Sequence, residues 1–249
     1  MNFKRILKIA GVGILVLLVV AVAGLFIWSA TSTYPAGEIA SAALESFSTV
    51  SVSHDRWIVF TPETNTEVGV IFYPGGLVAP EAYAPVLRQL AERGIFVVIT
   101  PMPLNLAIFD TNAANAVIQA FPDIEDWVLT GHSLGGAAAS IYAENHPNQI
   151  EGLALWDSYP PDSADLSDSA IEVISIYGTT VGTANTENFE AKKPLLPQDS
   201  TFVPIEGASH AQFGDYGPQK GDVIPSISAT EQHARVAALM LDFIEDAIP

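Results

Sequence analysis

The sequence predicts an α/β protein built on a doubly wound, mostly parallel sheet. Apolar runs recur at 68–73, 95–100, 127–130, 152–157, 171–177 and 201–205. They are apolar without alternation, the mark of strands buried on both faces. Stretches with helical start and stop signals separate most of them, and strand–helix alternation folds into parallel crossover units.

Taken in order, residues 37–46 fit an amphipathic helix and 50–61 an opening pair of strands. After strand 68–73, a helix runs from about Pro80 to Glu92, with proline near its first turn and Gly94 past its end. Thr111 caps a helix to Phe121 after strand 95–100, and residues 137–144 form the helix after strand 127–130. The last helix opens on Ser228-Ala229-Thr230-Glu231, a capping box, and runs to about Ala247. Only residues 158–170 separate two of the strands, too few for a lid domain. A site at that edge is therefore expected to be open and shallow.

The 249 residues suit one globular domain plus an appendage, and the appendage is the amino terminus. Lys4, Arg5 and Lys8 form a basic stub (1–8) before Ile9–Trp28, which carries no charge. Thirteen of those residues are Ile, Val, Leu or Phe, enough to favour insertion by roughly 4–8 kcal/mol. A helix of that length rises about 30 Å, the thickness of a hydrocarbon core. No Lys or Arg follows until Arg56, so the charge asymmetry places the start in the cytoplasm and the remainder outside. Residues 9–28 are thus expected to anchor the chain, 29–36 to act as a spacer, and 37–249 to form the globular domain. A cleaved signal peptide is the competing reading, with Ala30 and Ser32 as small residues for a cleavage site. The chain has no cysteine, hence no disulfide framework. The net charge is −18; without the three amino-terminal cations, seven Lys and Arg face 28 Asp and Glu, a net −21. Such a surface argues against nucleic-acid partners and anionic lipid headgroups.

Chemistry enters at Gly131-His132-Ser133-Leu134-Gly135. A serine between two glycines, on a sharp strand-to-helix turn, has its hydroxyl pushed out above the sheet. The same turn aims the Leu134 N–H at an oxyanion formed on a substrate carbonyl. A serine hydroxyl needs a base, and in this topology the base comes later in the chain. Of five histidines, His54 precedes the sheet, His132 adjoins the serine and should point elsewhere, and His146 and His233 read as surface residues. His210 follows strand 201–205 and emerges at the same edge as the serine, which makes it the expected base. Asp157 ends strand 152–157 at that edge and is the expected acid, since a charge at a buried strand end needs a partner. Glu206 is a weaker substitute, being close to His210 in sequence. A second oxyanion donor is expected from Pro74-Gly75-Gly76-Leu77, with Gly76 and Leu77 as candidates.

These residues resemble the alpha/beta-hydrolase superfamily, and within it the bacterial group called alpha/beta hydrolase family 5, related to dienelactone hydrolases. The resemblance spans roughly residues 56–247. It rests on Phe72-Tyr73-Pro74-Gly75-Gly76, on Thr100-Pro101-Met102-Pro103-Leu104-Asn105-Leu106 and on Gly131-His132-Ser133-Leu134-Gly135-Gly136. It includes Ile205-Glu206-Gly207 and His210-Ala211-Gln212-Phe213-Gly214-Asp215-Tyr216-Gly217. It implies a Ser-Asp-His hydrolase that needs no metal or organic cofactor. Relatives commonly carry their acid in a Gly-x-x-Asp-Gly loop, and Val181 stands at that position here. Either the acid has moved to Asp157, or the chain is a non-catalytic binding protein. The cysteine nucleophile of dienelactone hydrolases is absent. The expected function is a membrane-anchored, extracytoplasmic serine hydrolase acting on small carboxylic esters; a peptidase or acyltransferase would use the same three residues.

Overall fold

The computed structural model describes the backbone of residues 3–180, 183–219 and 221–248, with side chains from residue 11 onward except for 181–187, 220 and 249. Val181 and the side chains of Lys4, Arg5 and Lys8 lie outside the described residues. The chain divides into two compact units, Met1–Thr33 and Tyr34–Pro249.

The first unit is one helix, α1 (Phe3–Ser32). Within it Gly11–Ser32 has a mean hydropathy of 2.8 and is long and apolar enough to cross a membrane. The helix outruns the expected 9–28 because the residues after Trp28 keep helical bonding. The Thr33 N–H donates to the Ser29 carbonyl at 3.0 Å, and the Thr31 hydroxyl bonds back to the Ile27 carbonyl at 2.8 Å. The expected spacer 29–36 is therefore divided between the two units.

The second unit is an eight-stranded sheet in the order β1-β2-β4-β3-β5-β6-β7-β8. β1 (Val50–His54) and β2 (Ile58–Pro62) are antiparallel. From β4 (Phe96–Ile99) through β3 (Val68–Tyr73), β5 (Asp126–His132), β6 (Gly152–Trp156), β7 (Glu172–Thr180) and β8 (Thr201–Ser209), every pairing is parallel. Alternate residues of the central strands feed two separate cores. Val70, Phe72, Val128 and Trp156 pack with α3 (Ala84–Ala91) and α7 (Ala229–Ala247). Ile71, Tyr73, Leu129 and Leu155 pack with α4 (Ala113–Ala120) and α5 (Leu134–Asn145). Burial on both faces explains the unbroken apolar runs. α2 (Glu38–Ala43) precedes the sheet, and the Ser228 hydroxyl accepts from the Glu231 N–H to cap α7.

Two features differ from the expectation. β7 and β8 both run past their expected ends, so His210 directly follows a strand. A helix, α6 (Thr183–Lys192), follows β7; its sequence is almost wholly polar and has no apolar stripe to announce it.

Two histidines are buried in the domain, His132 and His233, at 0 and 1 % exposure. His233 was expected on the surface. It lies instead on the inner side of α7, with Nε2 3.4 Å from the Gly214 carbonyl oxygen. Burial, the largest effect at each, lowers both pKa values; at His132 the neighbouring His210 lowers it further, well below the ordinary histidine range. Unfolding therefore takes up protons once the pH falls through the free-histidine pKa, about 6.5. The stabilising effect of keeping these rings neutral is full above that pH and shrinks below it. Going from pH 7.5 to 5.5 should therefore lower the stability, with His132 and His233 both contributing. Urea midpoints of the full chain in detergent should show this loss, and His132→Asn or His233→Asn should flatten it. Unchanged pH slopes in both variants would contradict the burial argument.

Candidate active site

β5 ends at His132 and α5 begins at Leu134, so Ser133 alone makes the turn between them. Its backbone sits at φ 52°, ψ −120°, a conformation that residues with a Cβ rarely adopt. Hydrogen bonds on both sides hold it there. The Ser133 N–H donates to the Trp156 carbonyl at 3.1 Å, while its carbonyl accepts from the Ser158 hydroxyl at 2.6 Å and the Ala137 N–H at 3.1 Å. The flanking glycines are required by contact distance. A Cβ at Gly135 would stand 2.0 Å from the Tyr73 carbonyl oxygen, and one at Gly131 2.5 Å from the Gly135 carbonyl carbon. α5 therefore begins closer to the end of β3 than any side chain permits. Leu134 opens that helix, where main-chain N–H groups have no partner within the helix.

Asp157 follows β6 and His210 follows β8, at the same edge of the sheet as Ser133. Asp157 turns with φ 43°, in the left-handed region that aspartate tolerates better than most residues. Its N–H donates to the Ile176 carbonyl at 2.7 Å. One carboxylate oxygen accepts from the Gly178 N–H at 3.2 Å, and the other lies 2.5 Å from His210 Nδ1. That pairing leaves Nε2 as the free ring nitrogen of His210. Glu206 is exposed on β8 and takes no part. Ser133, Asp157 and His210 line one cavity, although no hydrogen bond joins Ser133 to His210 among the described residues. Behind the histidine, the fully buried Gln232 of α7 clamps the preceding residue: its Oε1 accepts from the Ser209 N–H at 3.0 Å and its Nε2 donates to the Ser209 carbonyl at 2.9 Å.

The loop after β3 corrects one expectation. The Leu77 N–H donates to the Asn105 carbonyl at 2.7 Å, so it is not free to bind an oxyanion. Its φ of 55° turns the amide into the protein. Gly76 fits the role better: a Cβ there would lie 3.0 Å from the Leu134 side chain, which sets its main chain beside the elbow. The neighbouring Gly75 N–H donates to the Tyr83 hydroxyl at 3.0 Å, and that hydroxyl donates in turn to His132 Nδ1 at 2.8 Å. The His132 ring lies 4.4 Å from the His210 ring, centroid to centroid. Burial holds the Tyr83 pKa far above the ordinary tyrosine range, so its proton is present to be donated. Tyr83, His132, Ser158 and Gln232 are the supporting residues that sequence reasoning missed. Tyr83 and Gln232 sit in helical stretches far from any motif, and nothing in their local pattern marks them.

The cavity has a volume of about 770 Å³. Leu134, Ala137, Tyr177 and Phe189 give it an apolar wall, and Glu190 and Asp222 also line it. No Lys or Arg lines it among the described residues, and Glu190 is paired with Lys193 at 2.7 Å. Phe189 and Glu190 of α6, with Gln219, Gly221 and Asp222, also line the cavity, so elements outside the short 158–170 connection shape the cleft. Among the described residues, no group of three or more His, Asp or Glu converges as a metal-ligand set.

An alpha/beta hydrolase family profile matches residues 69–234, well over half of the chain. No curated protein matches it. Solved structures do. MGS-MChE2, an alpha/beta hydrolase enzyme from the metagenome of lagoon sediments at Mar Chica, Morocco, is 17 % identical with a TM-score of 0.58, over 78 % of this chain and 97 % of that one. A thermophilic esterase from Thermogutta terrifontis is 14 % identical with a TM-score of 0.57, over 81 % and 98 %. Est1E from Butyrivibrio proteoclasticus, solved with ferulic acid bound, is 15 % identical with a TM-score of 0.54, over 78 % and 98 %. The sheet order, the strained serine turn and the profile match agree: the chain belongs to the alpha/beta hydrolase family.

Proposed function

We propose that this chain is a membrane-anchored, extracytoplasmic serine hydrolase that cuts carboxylic esters. The observation that carries the reading is the 2.5 Å contact between Asp157 and His210 Nδ1, at the rim of the cavity that Ser133 also lines. A carboxylate on Nδ1 fixes the tautomer in which Nε2 is a base. The Ser133 hydroxyl attacks the ester carbonyl as His210 Nε2 takes its proton. The Leu134 and Gly76 N–H groups stabilise the oxyanion, and Asp157 stabilises the imidazolium. His210 then gives the proton to the departing alcohol, leaving an acyl group on Ser133. Water, deprotonated by the same ring, releases the acid and restores the serine. The esterases among the structural neighbours support an ester as the scissile group. The apolar wall of Leu134, Ala137, Tyr177 and Phe189 supports an uncharged acyl group.

Anchoring is supported by α1, and orientation by Lys4, Arg5 and Lys8 before it, with no further cation until Arg56. The non-catalytic alternative drew its strength from a missing acid at Val181, and a carboxylate on His210 from the preceding strand weighs against it.

A fluorophosphonate probe should label the wild-type chain in detergent and leave Ser133→Ala unlabelled; equal labelling would refute the serine as nucleophile. With a soluble nitrophenyl ester, Asp157→Asn should lower kcat by about 10³–10⁴ with little change in KM. A loss of less than tenfold would show that Asp157 is not the acid.

A further inference from the structure

Outside α1, the exposed large apolar side chains include Ile39, Ile108, Phe109, Val223 and Ile224, at 45, 48, 59, 47 and 88 % exposure. Four of them sit on two loops beside the site. Ile108 and Phe109 belong to the segment after β4, whose Asn105 carbonyl accepts from Leu77 and whose Leu106 lies against Gly76. Val223 and Ile224 follow Asp222, which lines the cavity. Scattered surface apolars need no explanation, but a pair on each of two loops flanking one cleft marks an interaction surface.

The chain itself indicates what covers it. α1 ends at Ser32, and two residues later Tyr34 is tied to the oxyanion-side loop. Its N–H donates to the Leu77 carbonyl at 2.8 Å, and its carbonyl accepts from the Ala79 N–H at 3.0 Å. The same strap is bonded to the loop that carries His210: the Gly37 N–H donates to the Asp215 carbonyl at 2.6 Å, and the Asp215 carboxylate accepts from the Ala40 N–H at 2.8 Å. Two residues of chain span at most about 7 Å. With α1 in a bilayer, a linker this short tethers Tyr34, and the loop it is bonded to, within reach of the lipid surface. Charge narrows the lipid: residues 34–43, 103–112 and 211–226 carry Glu38, Asp110, Asp215 and Asp222 against Lys220, which disfavours anionic headgroups.

We propose that Ile108, Phe109, Val223 and Ile224 dip into the neutral lipid surface that holds α1, so that the site takes its esters from the membrane. This rests on the anchored-esterase reading above. The substrate class is then a membrane-partitioned, uncharged ester whose apolar chain enters along Leu134, Tyr177 and Phe189.

Because the chain has no cysteine, one can be placed at will. Full-length Ile224→Cys, carrying an environment-sensitive dye in phosphatidylcholine vesicles, should be quenched by lipids spin-labelled on the acyl chain. Glu245→Cys, exposed near the end of α7 that packs against the start of β6, should not be. Equal quenching at the two positions would overturn the proposal. Phe109→Ser combined with Ile224→Ser should slow hydrolysis of a long-chain nitrophenyl ester dissolved in those vesicles by about tenfold, and leave soluble nitrophenyl acetate unaffected. An equal loss on both esters, or no loss on either, would overturn it. A wild type that cuts neither ester overturns the esterase reading, and the quenching contrast then decides the membrane contact alone.

Discussion

The hydrogen bond between Asp157 and His210 is the constraint around which the site is arranged. It joins residues at the ends of β6 and β8, which are not neighbours in the sheet, so it must pass the end of β7. Three local features allow that. Asp157 adopts a left-handed conformation that swings its carboxylate forward, and its second oxygen is held by the Gly178 N–H. Gly178 itself sits where a Cβ would stand 2.5 Å from the Ala208 carbonyl oxygen, so the last turn of chain before His210 closes tightly over β7. The register between β7 and β8 slips between Gly178 and Thr180, which lets β8 run on to Ser209. An unpaired aspartate at the end of a buried strand would be costly, and this bond offsets that cost.

The serine turn depends on the same edge. A residue held in such a conformation costs of order 1–3 kcal/mol, and surrounding bonds must over-determine it. Here they come from both neighbours of β5: the Trp156 carbonyl and Ser158 hydroxyl on the β6 side, and the close contact of Gly135 with Tyr73 on the β3 side. A second set of bonds runs below, from the Gly75 N–H through the Tyr83 hydroxyl to His132, whose ring packs against His210. The Gly75-Gly76 loop, the Ser133 turn and the His210 ring are therefore fixed to one another through buried groups. Each is rigid because the others are.

Much of this was legible in the sequence because it is carried by strand ends. Ser133, Asp157 and His210 each close an apolar run, and a parallel sheet brings such ends to one edge whatever the detailed packing. What was not legible depends on where main-chain groups point. The Leu77 amide is consumed by Asn105 because of a left-handed turn that no residue type announced. His233 is buried because α7 presents it to the Gly214 carbonyl, and a histidine on an amphipathic helix reads equally as surface. α6 escaped notice since its residues are mostly polar and form no apolar stripe, and with it the part that Phe189 takes in the cavity wall. The sequence also left open what supports His210, which is Gln232, since a glutamine in a helix carries no positional signal.

Within the second unit, residues 34–40 are bonded both to the loop after β3 and to Asp215, just beyond His210, so the surroundings of the site are held as one assembly. The claim on which this rests is that Asp157 serves His210 in solution. Proton NMR of the full chain in micelles tests it directly, because an imidazole Nδ1–H held by a carboxylate at 2.5 Å resonates far downfield of the amide protons. The account predicts such a resonance in the wild type and in Ser133→Ala, and its loss in Asp157→Asn. A wild-type spectrum without it, or an Asp157→Asn spectrum that retains it, would contradict the account.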